Sequence, residues 1–253
     1  MKILIINGSP KDERSNSLKL TKAFVEGIQA ECNAEVEYIS VSKLHIEKCI
    51  GCLNCWKKTI GRCFQNDDMS AAIDKMVAAD VIIWSFPLYY YSLPGSLKIF
   101  IDRQVPTMKP VMQERTDGKG NGKHASRYDL SHQRNVLIST CGFCSYKGNY
   151  DAVKAQFDLM LGVDNYTYLF CGQGEMFPVP FLKDRVDEYL GYVRQAGVEY
   201  AKYGCILPAT REKTDELLLP KQKFEEMADS YYAHCAKKAA EAAAKAAENG
   251  TNT

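Results

Sequence analysis

A chain of 253 residues is long enough to bury a sizeable core, as one enlarged domain or two small ones. Its formal net charge of +1, with 25% charged residues, excludes the strong positive field of a nucleic-acid or anionic-membrane binder. No apolar run approaches the roughly eighteen residues of a membrane span.

The first element is "MKILIIN" (1–7), a short β-branched run ending in "GSP". It reads as a fully buried strand and its exit turn. Its apolar core is too short for a signal peptide, so a cytoplasmic location is expected. In that compartment the ten cysteines are read as thiols or metal ligands rather than disulfides.

From Ser17, the positions Leu20, Phe24 and Ile28 recur at every fourth residue and predict a helix. A second strand is expected at "VEYISV" (36–41). Asp67 or Asp68 is a candidate cap for a helix whose apolar face is Met69, Ala72, Ile73, Met76 and Val77. Then come a strand at 80–86, a Pro-Leu-Tyr loop, a helix at 96–103, strands at 135–140 and 165–170, and a helix of about twenty residues from Leu182. Strand alternating with helix predicts a doubly wound α/β sheet of five parallel strands.

Two segments stand outside that alternation. Residues 104–134, glycine-rich around "DGKGNGKH", are expected to be a mobile surface excursion. Residues 205–248 form a C-terminal helical extension after a main domain at 1–204, with 249–253 a frayed tail.

In an open α/β sheet, ligands lie beyond the carboxyl ends of the strands. The first loop there is "NGSPKDERSNSLKL" (7–20). It matches neither GxGxxG nor GxxxxGK[ST]. It offers hydroxyls at Ser9, Ser15 and Ser17, an amide at Asn16, cations at Lys11 and Arg14, and a helix start. Such a set suits a monophosphate, or it merely caps a helix.

The strand, "NGSP" and "SNS" together resemble the phosphate loop of the flavodoxin-like NAD(P)H-dependent FMN and quinone reductases. "PLYYYSLPGSLKIFIDR" (87–103) and "STCGF" (139–143) resemble two further loops of that family. The resemblance implies a flavodoxin-like sheet of order 2-1-3-4-5 and FMN as cofactor. Ser9, Ser15, Asn16 and Ser17 would hold its phosphate, with Lys11 and Arg14 nearby. Pro87, Leu88, Tyr89 and Tyr90 would line the flavin, with Thr140, Cys141, Gly142 and Phe143 from the next loop. It further implies NAD(P)H or a ferredoxin-like protein as electron donor, a small-molecule or protein acceptor, and a homodimer or homotetramer.

The remaining motif is "KCIGCLNCWKKTIGRC" (48–63), with Cys49, Cys52, Cys55 and Cys63 spaced C-x2-C-x2-C-x7-C. On a regular helix the first three thiols would spread over about 9 Å of axis. Gly51, Asn54 and Gly61 favour an irregular loop that could wrap one centre. The spacing resembles the iron–sulfur flavoproteins, which implies a [4Fe–4S] cluster beside FMN. A cluster-free reductase and a zinc-dependent interaction module remain open. "CGFC" (141–144) is a weaker candidate for thiol exchange, and "CGQGE" (171–175) carries no complete glycine motif.

Overall fold

The structure, a computed structural model, describes residues 1–250. β1 (Lys2–Asn7) leads through the first loop into α1 (Asn16–Glu31), followed by β2 (Glu35–Ser40). The cysteine stretch carries only the single turn α2 (Asn54–Lys57) before α3 (Met69–Ala78), β3 (Val81–Pro87) and α4 (Gly95–Asp102). β4 (Met108–Gln113) and β5 (Lys123–Ser126) precede β6 (Arg134–Thr140), α5 (Asp151–Leu161) and β7 (Tyr166–Cys171). Three helices close the chain: α6 (Lys183–Tyr203), α7 (Pro208–Thr214) and α8 (Lys221–Gly250).

Five strands pair in parallel in the order β2-β1-β3-β6-β7, the expected 2-1-3-4-5 winding. The alternation of side chains along each strand sorts them between two cores. Ile3, Ile5, Val81, Ile83, Val136 and Ile138 pack with α1 and α6 on one face. Leu4, Ile6, Ile82, Trp84, Phe86 and Leu137 pack with α3, α4 and α5 on the other. The central strands β1, β3 and β6 carry continuous apolar runs because both faces are covered, whereas the edge strand β2 alternates.

Helix α1 buries Leu20, Phe24 and Ile28 completely, the stripe that its spacing predicts. It crosses α6 at two glycines. A Cβ at Gly27 would lie 2.0 Å from the Arg194 carbonyl oxygen, and one at Gly197 1.9 Å from that of Phe24.

Three features differ from expectation. Residues 104–134 contain an antiparallel ribbon, β4 with β5, instead of irregular chain alone. Its tip is fastened by Arg115, which donates to the Asp158 and Leu159 carbonyls near the end of α5. Helix α5 was not anticipated, although Val153 and Phe157 are fully buried one turn apart. Helix α8 starts at Lys221 and continues through Asn249 and Gly250, and residues 251–253 of the expected tail lie outside those described.

Candidate active site

The carboxyl ends of β1, β3, β6 and β7 bring four loops together, as the winding requires. In the first, Asn7 is fully buried and organises the turn. Its side-chain amide oxygen accepts from the Ser9 amide (3.1 Å), while its side-chain N–H groups donate to the Asp12 carbonyl and the Tyr38 hydroxyl. Tyr38 in turn donates to the Asp12 carboxylate at 2.9 Å, and Lys43 pairs with the same group. Lys43, with help from Ser40, holds the Asp12 carboxyl well below the usual range, whereas burial pushes the Tyr38 hydroxyl up to about 12.

The loop ends at Ser15, whose hydroxyl caps α1 by accepting from the Leu18 amide (3.4 Å). First-turn amides have no acceptor inside their helix, so those of Asn16 and Ser17 remain as donors. The Ser17 side chain is engaged elsewhere. Its hydroxyl lies 2.8 Å from the Thr140 hydroxyl and accepts from the Thr140 amide, which stitches the first loop to the third. Ser17 therefore offers an anion its backbone amide. Ser9 and Ser15 are buried, while Lys11 and Arg14 are exposed at the rim.

The second loop follows β3. Leu88 is buried and Pro87 half-buried, and Tyr89 and Ser92 exchange backbone hydrogen bonds at 3.0 Å in both directions. Tyr90 and Tyr91 form the tip, with φ of 49° and 63°. Tyr90 is 97% exposed. Tyr91 stacks on Phe143 of the third loop, ring centroids 5.3 Å apart. Together these rings make an exposed aromatic wall between the second and third loops.

In the third loop Thr140 and Cys141 are buried, whereas Gly142 and Phe143 are exposed. Burial pushes the Cys141 thiol up, the opposite of an exchange-active cysteine, and the Cys144 sulfur accepts from the Gln173 amide at 3.4 Å. The loop after β7 carries only the incomplete glycine motif of "CGQGE" and is not among the site residues the sequence predicts. The Gly174 carbonyl accepts from the Asn16 side chain at 2.7 Å, and a Cβ on Gly142 would lie 3.6 Å from the Glu175 carboxylate. Burial pushes the Glu175 carboxyl up, with Lys11 opposing. Only the adjacency of β7 to β6 brings these residues to the site.

The cysteine loop lies between β2 and α3. Cys49 and Cys52 are exposed, Cys63 is half-buried and Cys55 buried. Burial pushes the Cys55 thiol up, and nearby charge on Cys63, Cys52 and Cys49 adds to the effect. Among the described residues, no three His, Cys, Asp or Glu side chains are gathered closely enough to hold a metal ion. The four thiols share one loop and feel one another electrostatically, but they do not form a closed cage.

Beneath this loop sits Arg103, which is 1% exposed. It donates to the Glu47 carbonyl (2.5 Å) and forks onto both Asp67 oxygens (2.6 and 3.0 Å). Burial opposes its charge, and Asp67 and Cys63 more than offset that, raising it further. The Arg103 Nε–H is buried without an acceptor, and Nδ1 of His124, whose ring lies 4.7 Å from Trp56, the residue after Cys55, is buried without a partner. A buried donor without a partner costs about 1–3 kcal/mol. Four soft sulfur donors over a buried cation with a spare N–H match an anionic thiolate–metal centre in their donor chemistry.

The family described as NADPH-dependent FMN reductase matches residues 1–154. An iron-sulfur flavoprotein of Clostridioides difficile (strain 630) is 35% identical over 158 residues, 60% of this chain and 69% of the relative. A Methanocaldococcus jannaschii iron-sulfur flavoprotein is 36% identical over 106 residues, 42% of this chain; the match spans about half that relative's length (53%). The crystal structure of an FMN-dependent NADH-azoreductase from Bacillus anthracis, in complex with FMN, superposes with a TM-score of 0.56. That superposition covers 79% of this chain and 99% of the azoreductase at 19% identity, a likeness of fold.

Proposed function

Because the chain belongs to the NADPH-dependent FMN reductase family, we propose that it is an FMN-dependent oxidoreductase carrying a [4Fe–4S] centre at Cys49, Cys52, Cys55 and Cys63. The observation that carries the flavin half is the open N-terminus of α1 facing a cation-rimmed loop, beside an exposed aromatic wall. When bound, FMN would supply two-electron hydride chemistry and a cluster one-electron transfer.

The chain's own residues do the rest. The amides of Asn16 and Ser17 and the hydroxyl of Ser9 grip the phosphate, and Lys11 and Arg14 draw the anion in. Tyr89, Tyr90, Tyr91 and Phe143 flank the flat ring and exclude water from it. Thr140 fixes the third loop against Ser17, so the backbone of Gly142 and Phe143 is held at the ring's edge. No side chain need act as acid or base for hydride transfer. Donor and acceptor use the same aromatic face in turn, which predicts ping-pong kinetics. A homodimeric or homotetrameric cytoplasmic protein is part of the same reading.

The cluster half is supported by the four-thiol donor set, the Arg103 cation beneath it and the names of the relatives. A second reading, a cluster-free NAD(P)H-dependent FMN or quinone reductase, is favoured by the ungathered thiols. Anaerobic purification separates the two. Iron and sulfide near four per chain, with broad absorption lost on Cys→Ser change at these positions, support the cluster. A flavin spectrum unaltered by the same changes leaves the simple reductase. A zinc module would be colourless, with zinc and no flavin.

A further inference from the structure

We infer that Arg103 is the positioning residue of the thiolate centre: its guanidinium closes both stems of the cysteine loop and sets the potential of the centre held there. The inference rests on the cluster reading above. Glu47 stands two residues before Cys49, and Asp67 four residues after Cys63. Arg103 binds the carbonyl of one and the carboxylate of the other, so one side chain fastens where the loop leaves the fold and where it returns.

Asp67 has no capacity to spare. Its two oxygens also accept from the amides of Glu47 (3.0 Å) and Met69 (3.2 Å). Arg103 does have capacity, because its Nε–H is buried without an acceptor. Cys63 is close enough to raise the guanidinium electrostatically, and the Gln65 amide approaches its sulfur at 3.9 Å. A purely structural ion pair would not require this arrangement, since Asp67 could be met by a residue with fewer donors.

The position of Arg103 in the chain adds a second consequence. It follows α4 directly, and α4 is the helix that the aromatic flavin loop enters. One element therefore holds the loop expected to face the flavin at one end and the thiolate loop at the other. Hydrogen bonds and positive charge beside cluster sulfurs stabilise the reduced, more negative form and raise its potential.

The test uses anaerobically prepared holoprotein, with the cluster followed by electron paramagnetic resonance during a redox titration. Arg103→Gln is expected to lower the equilibrium constant for cluster reduction at least tenfold, about 59 mV for a one-electron couple, while the flavin potential stays put. Asp67→Asn removes the counter-charge and keeps the arginine, so it is expected to move the cluster potential the opposite way. A merely structural role would reduce iron content in both variants without opposite shifts. Equal potentials in wild type, Arg103→Gln and Asp67→Asn at full iron content overturn the inference and leave the cluster reading intact. Wild-type protein without iron or sulfide overturns both. The apoprotein gives an independent reading in case Arg103→Gln loads poorly. Tryptic cleavage at Lys57, Lys58 or Arg62 should be at least tenfold faster in Arg103→Lys than in wild type, and an unchanged rate contradicts the clamp.

Discussion

Tyr90 and Tyr91 occupy the two central positions of a tight turn, both with positive φ, where asparagine and glycine are the usual occupants. Left-handed backbone at a residue with a Cβ costs roughly 1–2 kcal/mol. Strain of that kind persists where function requires the side chains. Replacing the pair by Asn-Gly is therefore expected to raise unfolding free energy by about 1–2 kcal/mol in urea melts. The same change should weaken FMN binding and slow turnover, because the wall of Tyr91 on Phe143 is lost.

A second residue-scale prediction concerns Asp67. Its carboxyl is held low by Arg103 and two backbone amides, which outweigh burial. A depressed folded pKa contributes stability that is present above the unfolded value, about 3.9, and is lost as pH falls through the folded value. Asp67→Ala leaves a buried guanidinium unpaired and should cost about 3–5 kcal/mol at pH 7. It should also flatten the acid limb of stability below about pH 4, read from urea melts across pH. Neither partner was visible in the sequence as one of a pair. Asp67 was a candidate helix cap, and Arg103 lies 36 positions away.

At the scale of elements, the helices and strands that were legible are those whose burial is written in a simple period. α1 shows every fourth residue apolar, and β1, β3 and β6 each carry an unbroken apolar run of three or more residues because the sheet is covered on both sides. The β4–β5 ribbon has no such signature. It is largely exposed, its alternation is broken by Pro110, and its register shifts between Met108 and Met112. What secures it is specific. Trp56 donates to the Val105 and Met108 carbonyls, and Arg127 to those of Pro106 and Met108. The α1–α6 crossing was equally hidden, since a glycine inside a helical pattern reads only as a weak point. Gly197→Ala would force a Cβ onto the Phe24 carbonyl. We expect a loss of about 1–3 kcal/mol or more, measured by thermal or denaturant unfolding. Helix α8 is the contrasting case. Among the side chains described, Phe224 is its last buried one and residues 229–244 are exposed, so a chain ending at Ser230 should melt within a few degrees of the full chain.

For the whole molecule, doubly wound topology is what converts scattered sequence signals into a site. The phosphate loop, the tyrosine loop and the third loop could each be recognised by their own residues. Their convergence, and the addition of Gly174 and Glu175, follow from the adjacency of β1, β3, β6 and β7. The cysteine loop is different in kind. Its thiols are evident in the sequence, whereas Arg103, which ties Glu47 to Asp67 beneath them, comes from the far end of α4 and carries no local signal.

The claim on which the account turns is that an anion is held at the start of α1. Titrating the flavin-free protein with FMN and with riboflavin, which lacks the phosphate, tests it directly by quenching of flavin fluorescence. FMN should bind at least a hundredfold more tightly, about 2.7 kcal/mol, and Lys11→Glu with Arg14→Glu should narrow that gap. Equal affinity for the two flavins, unaffected by those charge reversals, would contradict it.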